Sequence, residues 1–182
     1  LVTQAEIDWF YQDGASRLFP DAYDRYIAPI PPEERGDLLT AFHKRLTGSD
    51  YKARIEAAKA WARWEGETIS IHGPASLPAR FGEDDFADAF ARIECHYFIN
   101  KGFFDEDGWL LRMAGEKLQG IPGFIVHGRY DVVTPITTAW ALTKVWPDAQ
   151  LEIVPDAGHS SLDPGIINHL IRATRDFAKR FG

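Results

Sequence analysis

The sequence predicts an α/β fold in which a mainly helical segment precedes two parallel strands with flanking helices. Two short, mainly apolar runs, residues 124–126 and 151–154, have strand length and are bounded by turn residues. One helix-length segment separates the runs, and a helical crossover of this kind joins parallel strands in α/β sheets. Helical periodicity dominates the sequence before the first run. We therefore expect two domains, residues 1–119 and residues 120–182.

The first helices are predicted from their start and stop signals. Thr3 and Glu6 form a capping box, which opens a helix that ends near Gly14. Pro20 can begin a second, short helix because proline fits the first turn. Apolar side chains then recur at helical spacing over residues 38–46, which predicts a third, amphipathic helix.

Two longer helices with a loop between them are predicted next. Asp50 is the expected N-cap of the first of these helices. Five residues lie on or near one face of this helix, namely Ile55, Ala58, Trp61, Ala62 and Glu65. Residues 66–82 contain several glycines and prolines without a sustained period, which predicts a loop. The second helix spans residues 83–100, with an expected buried stripe of Phe86, Phe90, Ile93 and Tyr97.

Two more helices complete the predicted order around the strands. A helix around residues 109–118 leads into the first strand, and the last helix spans residues 164–181. The expected apolar face of the last helix comprises Ile167, Leu170, Ile171, Thr174 and Phe177. The order of elements is therefore helices, strand, helix, strand, helix.

Each predicted strand is followed by a glycine-containing turn that delivers one polar residue. Asp131 follows the first strand and His159 follows the second. Active groups of α/β sheets gather outside the carboxyl ends of the strands, so this placement suits an acid that orients a catalytic base. The alternatives are a surface-loop histidine and a turn-forming aspartate. Asp156 lies on the same loop as His159 and is better explained by local turn chemistry, so Asp131 is the favoured partner.

Three motifs in the last third of the chain resemble the C-terminal part of proline iminopeptidases. They are HGRYD-x-x-x-P at 127–135, W-P-x-A at 146–149, and P-D-A-G-H followed by D-P-G-I at 155–166. That family has the α/β-hydrolase fold, whose catalytic triad runs serine, aspartate, histidine along the chain. The resemblance implies that residues 1–119 are a helical cap and that residues 120–182 are the C-terminal part of an α/β-hydrolase core.

The same resemblance assigns roles to four residues. Asp131 and His159 match the last two triad members, and Glu65 and Glu94 match the glutamates that bind the free α-amino group of the substrate. The expected substrate is a peptide with N-terminal proline, and no metal or cofactor is implied. From the residue pattern alone, each glutamate borders an apolar stripe, which favours an exposed helix charge, and only the resemblance favours the amine-binding role.

A nucleophile is missing from the pattern. The serines before Asp131 are Ser16, Ser49, Ser70 and Ser76, and none stands in a G-x-S-x-G elbow. The resemblance covers essentially the whole chain but aligns it with the later part of the family, and the first residue is not methionine. We therefore expect a fragment of a serine aminopeptidase that is inactive by itself.

The amino-acid composition limits the partners, the cysteine chemistry and the location to be expected for this chain. The formal charge of −7 and the absence of a basic patch disfavour a nucleic-acid partner. Cys95 is the only cysteine, so neither an intramolecular disulfide nor a cysteine-based zinc site can form, and a core thiol is expected. No leader sequence and no apolar stretch of about 20 residues is visible, so we expect no membrane partner and a cytoplasmic location.

Two other functions remain open at this level. The chain could be a catalytically silent helical binding or assembly module with a hydrolase-like tail. It could also belong to an α/β-hydrolase with another substrate, such as an ester, because this fold serves many chemistries. In addition, the predicted strand at 124–126 becomes an apolar edge in a fragment, and this favours self-association across a two-fold axis or by packing of helices on the sheet of another copy.

Overall fold

A computed structural model describes residues 2–71 and 77–181 of the chain. These residues form two compact units. The helical unit comprises residues 2–68 and 77–107, and the sheet unit comprises residues 69–71 and 108–181. Contacts thus group the helix Trp109–Lys117 with the strands, whereas the boundary expected near Gly120 groups it with the preceding helices.

The helical unit contains six α-helices among its described residues. They are α1 (Gln4–Ile7), α2 (Pro20–Ile27), α3 (Leu38–Leu46), α4 (Tyr51–Thr68), α5 (Leu77–Phe81) and α6 (Asp84–Ile99). A π-helical turn, Asp8–Gln12, extends α1. The predicted capping box at Thr3 is present, and Asp50 accepts a hydrogen bond of 3.1 Å from the Ala53 amide at the start of α4. All five residues that the sequence places on or near one face of α4 are buried, Glu65 included.

The prediction of a loop over residues 66–82 is wrong at both ends. Helix α4 continues to Thr68, and residues 77–81 form α5; the positions between Ile71 and Leu77 lie outside the described residues. Gly66 explains the difference. A Cβ at this position would lie 2.9 Å from the Phe81 ring, so the glycine permits close packing of α5 on α4 and does not end the helix.

The predicted buried stripe of α6 is also wrong. Ile93 and Tyr97 are 61% and 53% exposed, and Phe86 and Phe90 are only half-buried. The residues that are buried instead are Ala87, Ala91 and Cys95. Their small side chains let α6 lie close to α3 and α4, while the larger rings are left at the margin of the contact.

An aromatic core holds the helical unit together. Its largest fully buried side chains include Trp61, Trp64, Tyr26 and Phe42. The rings of Tyr26 and Phe42 are stacked with centroids 4.6 Å apart, and Trp61 meets Phe42 edge to face at 5.4 Å. Because Trp61 lies one helical turn before Glu65 on α4, this core also fixes where that carboxylate points.

The sheet unit has the predicted order of elements. Its elements are α7 (Trp109–Lys117), β1 (Gly123–Gly128), α8 (Ile136–Val145), β2 (Ala149–Val154) and α9 (Pro164–Phe181). The strands are parallel, in register from Gly123 opposite Ala149 to Gly128 opposite Val154. The predicted α/β class, the two parallel strands and the helical crossover are therefore confirmed.

The apolar face predicted for α9 is wrong in part. Ile166 and Ala173 are its buried residues, whereas Leu170 and Ile171 are 40% and 43% exposed. Ile166 packs with Val154 and Ala157 in a small core. In the described part of the chain the sheet has two strands, so it covers only a narrow stripe of this helix.

Residues 2–71 and 77–181 contain neither a candidate membrane span nor a candidate metal site. No helix there combines the length and apolarity that a bilayer crossing needs. Nor does this part of the chain bring three or more His, Cys, Asp or Glu side chains together in a way that could hold a metal ion.

Candidate functional site

The loops that follow β1 and β2 are held against each other by backbone contacts. The amide of Arg129 donates to the Val154 carbonyl at 2.8 Å, and that of Tyr130 donates to the Ala157 carbonyl at 3.0 Å. A Cβ at residue 128 would lie only 2.1 Å from the Gly158 carbonyl oxygen, so only glycine fits here. This close approach brings the two predicted polar residues together.

Asp131 and His159 form a direct hydrogen bond. His159 Nδ1 lies 3.0 Å from Asp131 Oδ2 and 3.2 Å from Oδ1. Because an ionised carboxylate only accepts, Nδ1 carries the proton and Nε2 is left free to accept one. The Asp131 side chain is 5% exposed and that of His159 is 35% exposed, so the acid is shielded while the base is reachable. Asp156, the competing acid, is exposed.

Asp131 is oriented by donors from its own loop. Its Oδ1 accepts from the amides of Val133, at 3.1 Å, and Thr134, at 2.9 Å. The Thr134 hydroxyl donates to Oδ2 at 3.1 Å and lies 3.2 Å from His159 Nδ1. The residue pattern did not reveal the threonine hydroxyl, although an aspartate often accepts from amides two and three residues later.

A second histidine also borders the acid. His127 Nε2 lies 3.4 Å from Asp131 Oδ2 and 3.0 Å from the Thr134 carbonyl oxygen. A carbonyl can only accept, so Nε2 of His127 carries a proton and donates to it. This contact supports the Asp131 turn from the strand side. Its position in β1 four residues before Asp131 is the only sequence signal that could have indicated it.

Glu65 and Glu94 form a second pair of acids, in the helical unit. Glu65 on α4 is only 5% exposed and accepts a hydrogen bond from the Tyr11 hydroxyl through Oε1. Glu94 on α6 is half-buried, and its Oε2 accepts from Trp61 Nε1 at 2.9 Å. The rings of Tyr11 and Trp61 are stacked with centroids 4.3 Å apart. The alternative of an exposed helix charge is therefore wrong for Glu65.

Burial sets the electrostatics of this pair. Loss of water raises the pKa of Glu65 well above its usual range, and the charge of Glu94 raises it further, while the Tyr11 hydrogen bond acts in the opposite direction. Burial, followed by the charges of both glutamates, also raises the pKa of Tyr11, so its hydroxyl stays protonated and donates. The charged form of a buried carboxylate next to a second acid is unfavourable unless a cation lies close to the pair.

Tyr11 and the indole of Trp61 are the members of this cluster that the sequence pattern missed. Trp61 was expected only as a core residue, and Tyr11 carried no motif. The thiol of Cys95, next to Glu94, is buried; burial and then the Glu94 charge raise its pKa to about 12. This environment fits the expected core thiol and not a nucleophile.

A surface cavity of the sheet unit lies at the end of the strands opposite to Asp131 and His159. It is lined by Pro122, Asp148 and Arg180 among others, at the amino ends of the strands. Asp131 and His159 follow the carboxyl ends, where α/β sheets place their active groups. We therefore take the hydrogen-bonded pair, and not this cavity, as the candidate catalytic site.

Comparison with known proteins identifies the class to which these sites belong. A family described as alpha/beta hydrolase fold matches residues 11–165. The match covers most of the chain and includes Asp131 and His159, together with Glu65 and Glu94. The chain therefore belongs to the alpha/beta hydrolase fold family.

Individual relatives agree with the resemblance seen in the motifs. The chain is 55% identical over 177 residues to "Probable proline iminopeptidase" of Leptolyngbya boryana, a match covering 97% of this chain and 55% of the relative. It is 53% identical over 178 residues to "Proline iminopeptidase" of Xanthomonas citri, covering 98% and 56%. It is 44% identical over 183 residues to the protein of that name in Arabidopsis thaliana, covering 100% and 48%. The chain thus spans about half the length of the curated relatives it matches.

Proposed function

We propose that this chain provides the base, the orienting acid and the amine-binding site of a serine aminopeptidase that releases N-terminal proline from peptides. The observation that carries the proposal is the buried Glu65 of raised pKa beside Glu94, because a general esterase has no need for such a pair of acids. The names of the relatives support the same substrate. The substrate ammonium would neutralise the pair and gain charge-assisted hydrogen bonds.

The geometry of the second pair supplies the chemical step. His159 Nε2 would take the proton of the attacking serine and return it to the leaving amine, so that an acyl-enzyme forms and water then resolves it. Asp131 would hold the ring in the tautomer that the 3.0 Å contact requires and stabilise the imidazolium. No metal or cofactor takes part in this scheme.

The nucleophile and the oxyanion donors would come from another part of a longer polypeptide. No serine before Asp131 stands in a nucleophile elbow, so the base of the isolated chain has nothing to activate. The purified 182-residue chain should therefore not hydrolyse proline p-nitroanilide, and addition of the upstream coding sequence should restore turnover. Turnover by the isolated chain would disprove the proposal that the nucleophile lies elsewhere. A longer polypeptide that folds but does not hydrolyse the substrate would favour the alternative of a catalytically silent binding or assembly module.

The amine site can be tested separately from the chemistry. In the longer polypeptide, Glu65→Gln and Glu94→Gln should each raise KM for proline amides about ten- to a hundredfold, because a hydrogen bond to a charged group contributes about 1.5–3 kcal/mol. Hydrolysis of a small neutral ester should change little. Glu56→Gln is the matched control, since Glu56 lies exposed on the same helix. Equal losses on both substrates would indicate a folding role.

We also propose that the 182-residue chain associates with a second copy through β1. In the described residues this strand pairs only with β2, and all but one of its side chains are apolar or absent. An unpaired apolar edge is a template for strand pairing. Sedimentation and light scattering should show dimers at tens of micromolar, which a lysine at Ile125 should weaken. A strictly monomeric species would contradict the proposal.

A further inference from the structure

The carboxylate of Asp163 is buried and turned towards the loop that carries His159. Asp163 is 4% exposed, and it immediately precedes α9. Its Oδ2 accepts from the Gly158 amide at 2.9 Å, and its Oδ1 accepts from the Ser70 hydroxyl at 2.5 Å. Neither oxygen was assigned a role by the motifs or by the proposed chemistry.

The hydrogen bonds of the Asp163 carboxylate are unusual for a residue at the start of a helix. The Asp163 carbonyl accepts from the Ile167 amide at 3.0 Å, as an N-cap carbonyl does at the start of a helix. An N-cap aspartate ordinarily directs its side chain at the amides of the first helical turn. Asp163 directs both oxygens elsewhere, so helix capping does not account for its side chain.

The backbone that follows His159 is also held by hydrogen bonds. The Ser160 amide donates to the Ile69 carbonyl at 2.8 Å, and the Asp163 amide donates to the Ser160 carbonyl at 3.1 Å. His159 itself is therefore flanked by two anchored amides, those of Gly158 and Ser160. Both anchors involve the short segment of residues 69–71, which belongs to the sheet unit.

This geometry points to Asp163 as a positioning residue for His159, with Ser70 holding Asp163 in turn. The His159 side chain is 35% exposed, and its hydrogen bonds to side chains are those with Asp131 and Thr134, so its direction depends on its backbone and on these two contacts. Asp163 fixes the amide that precedes the base and keeps Nδ1 in line with Asp131. The inference rests on the proposed role of His159 as the base.

The test uses the Nδ1–H resonance of His159 in the 182-residue chain, observed by NMR. In Asp163→Ala the exchange of this proton with water should accelerate about fivefold or more, because the ring no longer stays on Asp131. Asp163→Asn keeps one acceptor oxygen for the Gly158 amide and should restore most of the protection. Asp156→Asn, an exposed acid on the same loop, is the matched control and should leave the exchange unchanged.

Ser70→Ala gives a second, milder variant if Asp163→Ala does not fold. It should accelerate exchange in the same direction by a smaller factor. Exchange that stays unchanged in folded Asp163 and Ser70 variants would overturn the inference and leave Asp163 with a purely structural role. Failure of the longer polypeptide to hydrolyse proline amides would refute the proposed function without altering this NMR result, so the two failures are distinguishable.

Discussion

The acids of the two candidate sites differ in where their hydrogen-bond donors come from. Asp131 accepts from two amides and a hydroxyl within its own turn, besides His159. Glu65 accepts from the Tyr11 hydroxyl, 54 residues earlier in the chain, and faces the charge of Glu94. Both acids are buried, but Asp131 is held by donors of its own turn, whereas Glu65 depends on a donor that is distant in the chain.

This difference indicates what each site is prepared to do. A carboxylate that several donors hold in one orientation suits the task of orienting an imidazole. A carboxylate whose pKa is raised by burial and by a second acid would be stabilised as an anion by a nearby positive charge. The predictions that follow alter one side of this contrast at a time.

The largest effect is expected from Asp131→Ala. The substitution removes the acceptor of the Val133 and Thr134 amides, and unsatisfied buried donors cost about 1–3 kcal/mol each. The free energy of unfolding should fall by about 2–4 kcal/mol in urea titrations at pH 7. Asp156→Ala should stay within about 0.5 kcal/mol, since Asp156 is exposed. Equal effects of the two variants would mean that water satisfies the Asp131 turn.

Glu65→Gln should change how stability depends on pH. The folded-state pKa of Glu65 is raised above its unfolded value, so its contribution to stability is fully present below about pH 4.3 and is lost as pH rises through the folded pKa. Glutamine stays neutral and still accepts from Tyr11. As pH rises, the free energy of unfolding of the variant should therefore increase relative to that of the unaltered chain. The increase should be about 1.4 kcal/mol for each pH unit by which burial raises the pKa of Glu65.

The measurement for Glu65 is a series of urea titrations from pH 4 to pH 9, with Glu56→Gln as the control on the same helix. The control should follow the unaltered chain at every pH, because Glu56 is exposed. A constant offset between Glu65→Gln and the unaltered chain would show that burial does not raise this pKa. A peptide with a free amino terminus should reduce the advantage of the variant.

Tyr11→Phe should have a smaller effect and act through Glu65. The Tyr11 hydrogen bond favours the charged form of Glu65, so its removal should raise the pKa of Glu65 further and cost about 0.5–1.5 kcal/mol. Carbon-13 NMR of the Glu65 carboxyl measures the titration. Tyr23→Phe removes a hydroxyl that donates to the Gln12 carbonyl, and it should leave that titration in place. A shift of equal size in both variants would contradict the assigned contact.

The smallest change in stability is expected from Thr134→Cys, about 1 kcal/mol or less, because a thiol replaces one hydroxyl donor to Asp131. The unaltered chain should resist thiol reagents, since Cys95 is buried and its pKa is raised to about 12. The variant should react measurably faster in a chromogenic thiol assay, with exposed Thr137→Cys as the positive control. Rapid labelling of the unaltered chain would contradict the burial of Cys95.

Much of the sheet unit could be predicted from the sequence because its signals are local. Two apolar runs, one crossover helix and the turn residues that follow each run predicted the parallel strands and placed Asp131 and His159 on adjacent loops. The Thr3 capping box and the Asp50 N-cap are local in the same way. In both caps the partner lies within a few residues, and in the sheet the signal of each strand and of its turn lies within one short stretch of the chain.

The faces of α6 and α9 could not be predicted, because hydrophobicity alone does not say which residues fit a close contact. In α6 the small residues Ala87 and Ala91 are buried and the larger Ile93 is exposed, which reverses the order of hydrophobic size. Packing on α3 and α4 decides this, since a short distance between helices admits only small side chains.

The α/β class, the order of the elements, and the loops that carry Asp131 and His159 could all be predicted from the sequence alone. Only the tertiary structure decided that Glu65 is buried against Tyr11 and that Asp163 holds the loop of His159 through Gly158 and Ser70. The Ser70–Asp163 contact joins residues 93 positions apart, and no local pattern encodes it. The physical reason is that burial and long-range hydrogen bonds depend on which surfaces meet, whereas turns, caps and strand periodicity depend only on near neighbours in the chain.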